Sequence, residues 1–173
     1  MLGDERPVQG RHGAVMKAAV QRVHDALQAA GVEPRIVEFS ESTRTAEDAA
    51  RAIGATVERI VKSLVFMAGD QPVLVLVSGV NRVATTRLAA ILGAPVRRAD
   101  ADVVRTATGF AIGGVPPLGH ATALTIVLDE DLLQYDLVYA AAGTPNAVFP
   151  ITPDTLLRVT GARVAAVKEE PIP

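Results

Sequence analysis

Apolar residues recur at helical spacing over residues 13–30, with Val15, Ala19, Val23, Ala26, Leu27 and Ala30 on one face and Gly31 as the stop. Residues 35–39 then change to the alternation of a half-buried strand. Thr45-Ala46-Glu47-Asp48 has the form of a capping box and predicts a helix over 46–53, closed by Gly54. Two apolar runs of strand length, 61–67 and 72–78, flank Gly69-Asp70-Gln71 and predict a hairpin. Residues 85–92 read as a helix ended by Gly93, and Asp100 caps another that ends near Gly109. Strands follow at 123–128, 137–141 and 147–151, with a helical turn at 130–133. Thr152-Pro153 opens a last helix, with proline at its first position, and 163–167 is the final strand.

Strands and helices mix without a strict β-α-β rhythm, and several strands read as hairpin-paired. The expected class is therefore α+β, a single domain in which a curved, mixed, open barrel-like sheet is surrounded by helices. Residues 1–12 are expected to be a flexible N-terminal extension and 13–170 the folded domain.

Composition narrows the function. The chain has 173 residues, 49% of them hydrophobic, which is enough for one sizeable core. Seventeen Lys+Arg face 19 Asp+Glu, so any grip on a polyanion is local rather than through a whole charged face. Aromatic residues make up 3%, which disfavours a single-strand binder that stacks bases on aromatic platforms. The chain contains no cysteine, hence no disulfide, thiolate nucleophile or cysteine metal site. No signal-like or membrane-length apolar stretch is seen, and a cytoplasmic protein is expected. A pI near 5.9 and the lack of a basic recognition helix argue against DNA as a partner.

The most informative segment is Gly113-Gly114-Val115-Pro116-Pro117-Leu118-Gly119-His120. Paired glycines admit close approach to the backbone, and paired prolines stiffen the loop and remove two donors. Such a loop can present backbone groups to a substrate as a preformed wall; it can equally be a rigid connection. Lys62, the one lysine between Lys17 and Lys168, lies in an apolar strand and points either to solvent or into a polar cleft. Asn81 and Arg82 follow the partner strand and fall near one end of the same sheet. Arg82, Arg87, Arg97, Arg98 and Arg105 concentrate positive charge that can hold phosphates or simply be solvated. His12, His24 and His120 are too scattered for a zinc site, and no phosphate-binding glycine loop or nucleophile elbow is present.

Lys62-Ser-Leu-Val-Phe66, Gly113 to His120, and Ala141-Ala-Gly143 followed by Ile151-Thr-Pro-Asp-Thr-Leu156 together resemble the YbaK/EbsC family. This is the family of the editing domain inserted in bacterial prolyl-tRNA synthetases and of its free-standing relatives. The resemblance covers nearly the whole chain after about residue 14. It implies an aminoacyl-tRNA deacylase that hydrolyses the ester between a small non-cognate amino acid and tRNA, with proline tRNA as the expected carrier. It also implies that Lys62 helps hold the tRNA 3′ end and that the loop backbone positions the aminoacyl carbonyl. The terminal ribose hydroxyl and a water would do the chemistry, without cofactor or metal. On this resemblance Lys62, Gly113, Gly114 and Pro117 form the catalytic set; Asn81, Val115, Pro116, Gly119, His120 and Gly143 are the expected substrate-binding residues, with no role carried over from the family to His120.

The residues agree with that reading. Amino acids differing by little apolar bulk are poorly sorted by one site, which makes a second, hydrolytic site necessary. An aminoacyl ester is already activated, so positioning and charge stabilisation suffice. In 173 residues there is no room for synthetase catalytic or anticodon-binding portions, so action in trans is expected, alone or beside an aminoacyl-tRNA synthetase as partner. The alternative is a non-catalytic module of the same fold that binds a small ligand or a synthetase, distinguished by stoichiometric binding without turnover.

Overall fold

The computed structural model describes residues 11–40 and 45–170. Helix α1 (Arg11–Ala29) is followed by strand β1 (Val37–Glu38), helix α2 (Ala46–Ile53) and a 3-10 turn (Val57–Arg59). The hairpin β2 (Val61–Ala68) and β3 (Gln71–Ser78) comes next, then α3 (Thr85–Leu92), β4 (Val96–Arg98) and α4 (Ala101–Thr108). After the Gly/Pro loop come β5 (Thr125–Asp129), a second 3-10 turn (Glu130–Gln134), β6 (Val138–Ala141), β7 (Ala147–Ile151), α5 (Pro153–Thr160) and β8 (Arg163–Ala165).

The helix boundaries follow their caps. The Thr45 hydroxyl accepts from Asp48 N–H and the Asp100 carboxylate from Val103 N–H, each satisfying a donor that the first helical turn leaves free. Thr152 caps α5 in the same way, with Pro153 at its first turn.

The class is α+β, with antiparallel and parallel pairs in one five-stranded sheet of order β4-β2-β3-β5-β8. A second ladder, β1-β7-β6, is separate, and the parallel bridge between Ile60 and Tyr139 links the two. This is the expected α+β arrangement, a mixed, open sheet surrounded by helices, here carried by two ladders that meet at this bridge. Strand β4 is not anticipated by the sequence pattern: Val96-Arg97-Arg98 is short and mostly polar, and it is a strand because it pairs with Phe66–Ala68 at the sheet edge. Helix α1 already includes Arg11 and His12, and residues 1–10 of the expected extension lie outside the described residues.

Strand β3 shows how the core forms. Leu74 and Leu76 face one apolar cluster, shared with Val23 and Leu27 of α1, Val104 of α4 and Phe149 of β7. Val73, Val75 and Val77 face another, built with Leu88 of α3 and Val127 of β5. The two-residue repeat buries both faces of β3 and makes it a central strand. Among the described residues no helix is long and apolar enough to cross a membrane.

Candidate functional site

Strand β4 covers β2 only from Phe66 to Ala68. Where it stops, a cleft of about 420 Å³ opens along Val61–Val65, between the two sheets. Its walls are Thr45, Ala46, Glu47 and Ala49 of the α2 segment, Tyr139 and Ala141 of β6, Ala147 and Val148 of β7, and Gly113 and Val115 of the Gly/Pro loop. That size accommodates a small amino-acid ester and part of a nucleotide.

Lys62 lines this cleft and is half-buried. Its ammonium donates to the backbone carbonyl of Asn81 at 2.6 Å. An ammonium has three donors, so two remain for a ligand. Burial holds the Lys62 pKa below the usual lysine range; Glu47 opposes this, while Arg82 and Arg98 push further down. The lowered value reflects a desolvated cation beside other cations, a setting in which an incoming anion or oxyanion is welcome.

The carbonyl that receives Lys62 is itself anchored. The Asn81 side-chain amide donates to Asp129 and to Asp131, both at 2.8 Å. Asp129 is fully buried at the end of β5 and also accepts from the backbone N–H groups of Ser78 and Asp131. Asp131 pairs with Lys168 at 3.0 Å, and its pKa is lowered by the Asn81 hydrogen bond first and by Lys168 next. The turn that carries Asn81 is further tied down by Ala84 N–H to the Val167 carbonyl and Glu169 N–H to the Arg82 carbonyl.

The Gly/Pro loop is placed by close backbone packing. A Cβ on Gly114 would lie 2.6 Å from the Gly143 carbonyl oxygen, and one on Gly143 would lie 2.7 Å from the Ala19 carbonyl oxygen. Gly143 also has φ +101°, a conformation that other residues rarely adopt. The two glycines therefore let the loop nest against the β6–β7 turn and α1. His120 closes the loop: its Nε2 lies 2.7 Å from the Pro116 carbonyl oxygen, so a neutral ring protonated there donates to it. Burial lowers the His120 pKa, partly offset by that hydrogen bond.

Of the residues that the sequence points to, the structure brings Lys62, Gly113 and Val115 together in the cleft. Gly114, Pro116 and Pro117 are buried behind it, and Gly143 is buried against α1. Gly119 and His120 sit at the far end of the loop, outside the cleft lining. Asn81 reaches the site only through its backbone carbonyl. Sequence reasoning did not single out Glu47, Gly79, Thr144 or Asp129, and it set Ser63 aside for want of a nucleophile elbow. Glu47 was read as part of a capping box, and that box is the signal that could have placed it at the start of a helix. The Ser63 hydroxyl oxygen is screened from solvent with no hydrogen-bond partner, in the cleft wall. Asp129 carried only the signal of an acid ending an apolar strand. Among the described residues no group of three or more His, Asp or Glu is placed to hold a metal ion.

Comparison with known proteins gives a consistent result. The profile of the aminoacyl-tRNA editing domain matches residues 40–159. A Bacillus subtilis (strain 168) protein, uncharacterized protein YwhH, is 33% identical over 133 residues, 76% of this chain and 85% of that one. An Enterococcus faecalis protein with the provisional name Cys-tRNA(Pro)/Cys-tRNA(Cys) deacylase EbsC is 26% identical over 131 residues, 75% of this chain and 80% of that one. A crystal structure described provisionally as a trans-editing enzyme for prolyl tRNA synthetase superposes with a TM-score of 0.85 at 51% identity, covering 88% of this chain and 98% of that chain.

Proposed function

The chain belongs to the aminoacyl-tRNA editing domain family, and we propose that it hydrolyses mischarged aminoacyl-tRNA in trans, with residues 13–170 as the editing domain. The substrate in this reading is the ester of a small non-cognate amino acid on proline tRNA. Support for the carrier comes from the 51% identical neighbour, described for prolyl tRNA synthetase. An aminoacyl-tRNA synthetase is the second partner and the cytoplasm the compartment.

One observation carries the proposal. Lys62, half-buried in a cleft of amino-acid size, spends one donor on the Asn81 carbonyl and keeps two. In the reaction a water oxygen adds to the ester carbonyl carbon. The bond from that carbon to the ribose oxygen then breaks, the ribose oxygen takes up the proton that the water gives up, and free amino acid and tRNA leave. Lys62 holds the negatively charged 3′ end, and the wall from Gly113 to Val115 fixes where the acyl group lies. Gly114, Pro116, Pro117, Gly119, His120 and Gly143 act by holding that wall rigid, and Asn81 acts by aiming Lys62. The chemistry asked of the protein is positioning and charge stabilisation in a partly dry site, with water as the reactant and the free hydroxyl of the terminal ribose assisting it.

The test is a deacylation screen. Proline tRNA carrying alanine, cysteine, serine, threonine or proline is mixed with the protein, and loss of each ester is timed. The expected result is rapid loss of at least one non-cognate ester while the prolyl ester is spared. Stoichiometric binding of the acceptor end with no turnover of any ester would instead identify a binding module.

A further inference from the structure

Among the described residues the cleft has three charged side chains in its wall, Glu47, Lys62 and Arg98. The two cations suit the phosphates of a nucleic-acid end. The acid has no counterpart in that role. Glu47 lies in the first turn of α2. It is exposed and makes no hydrogen bond or ion pair with any described residue. It is nevertheless the strongest attractive charge felt by the Lys62 ammonium. Glu47 thus lines the same cleft as Lys62 while making no ion pair with it or with any other described residue.

Resting on the deacylase reading, we propose that Glu47 binds the α-ammonium group of the aminoacyl ester. The charges of the cleft then match the charges of the substrate: the one acid meets the one cation of an aminoacyl end, and Lys62 and Arg98 meet its anions. Glu47 is in this account a specificity determinant for a free α-amine, which separates aminoacyl esters from N-blocked or hydroxyacyl esters of the same tRNA. It is a binding contact and takes no proton in the reaction.

The test compares two esters of proline tRNA. One carries the amino acid that wild-type protein removes fastest, and the other its 2-hydroxy counterpart, made by deaminating the amine. Both are timed with wild-type protein, Glu47→Gln and Glu47→Lys. The expected result is that Glu47→Gln lowers the preference for the amino ester about 10-fold, the size of one charge-assisted hydrogen bond, mainly through slower loss of the amino ester. Glu47→Lys should lower the preference further. Equal slowing of both esters would overturn the proposal, because Glu47 would then act through Lys62. Unchanged rates for both esters would also overturn it. Failure of wild-type protein to remove any ester would instead defeat the deacylase reading itself.

Discussion

The Lys62 ammonium meets the Asn81 carbonyl at 2.6 Å, across a separation of 19 residues in sequence. The pairing of Lys62 with Val77 in the hairpin brings the two into range, and the turn after Ser78 folds the Asn81 carbonyl back towards the cleft. A flexible side chain is thereby held in one orientation by a backbone group, which is how a lysine becomes a fixed electrostatic element.

Lys62→Ala should abolish deacylation, lowering the rate at least about 100-fold, the range for losing a preorganised electrostatic group. Its effect on folding should be within about 1 kcal/mol, because the side chain is half-buried and its removal frees only one carbonyl. Ester hydrolysis and urea melts on the same preparation test both parts.

Asp129→Ala should behave in the opposite way. The buried carboxylate accepts from Ser78 N–H, the Asn81 amide and Asp131 N–H, so its loss strands two backbone donors and leaves the Asn81 amide with Asp131 alone. A destabilisation of about 2–4 kcal/mol follows from leaving buried donors unpaired. Urea unfolding measures it. The Asn81 turn should also loosen, so amide hydrogen exchange over residues 79–83 should accelerate more than in β3.

Gly114→Ala places a methyl group where the Gly143 carbonyl already stands. The loop must move away from the β6–β7 turn, at a cost of about 1–3 kcal/mol. Since Gly113 and Val115 on either side line the cleft, deacylation should fall with it. The melting temperature and the ester-hydrolysis rate should drop together, and a drop in one alone would contradict this account of the loop.

Stability should decline as pH falls below the ordinary histidine value of 6.5, because the His120 pKa is lowered in the fold. The unfolded chain then binds a proton that the folded chain resists, so the stability is fully present above that value and is lost as pH falls through the folded pKa. Substituting Gln for His120 should flatten the dependence. Urea melts of both proteins between pH 7.5 and 5.5, about one unit either side of that value, measure it.

Much of the fold was legible in the chain. The capping box at Thr45, the two-residue repeat of β3 and Thr152-Pro153 each marked an element through short-range rules, and Lys62, Gly113 and Val115 were found in one cleft. What could not be read was set by distant pairing. Strand β4 exists because Phe66–Ala68 offers it an edge. The two ladders are linked by the bridge of Ile60 with Tyr139, a contact between residues 79 positions apart. For the same reason Glu47 carried no mark of facing Lys62, and the loop glycines gave no sign of which would line the cleft and which would lie behind it.

The most direct test of the account is the hydrolysis of non-cognate aminoacyl esters on proline tRNA by wild-type protein beside Lys62→Ala. The account predicts that wild-type protein removes at least one small non-cognate amino acid, spares the prolyl ester, and loses that activity with Lys62 while keeping its fold. Equal hydrolysis by the two proteins would contradict it.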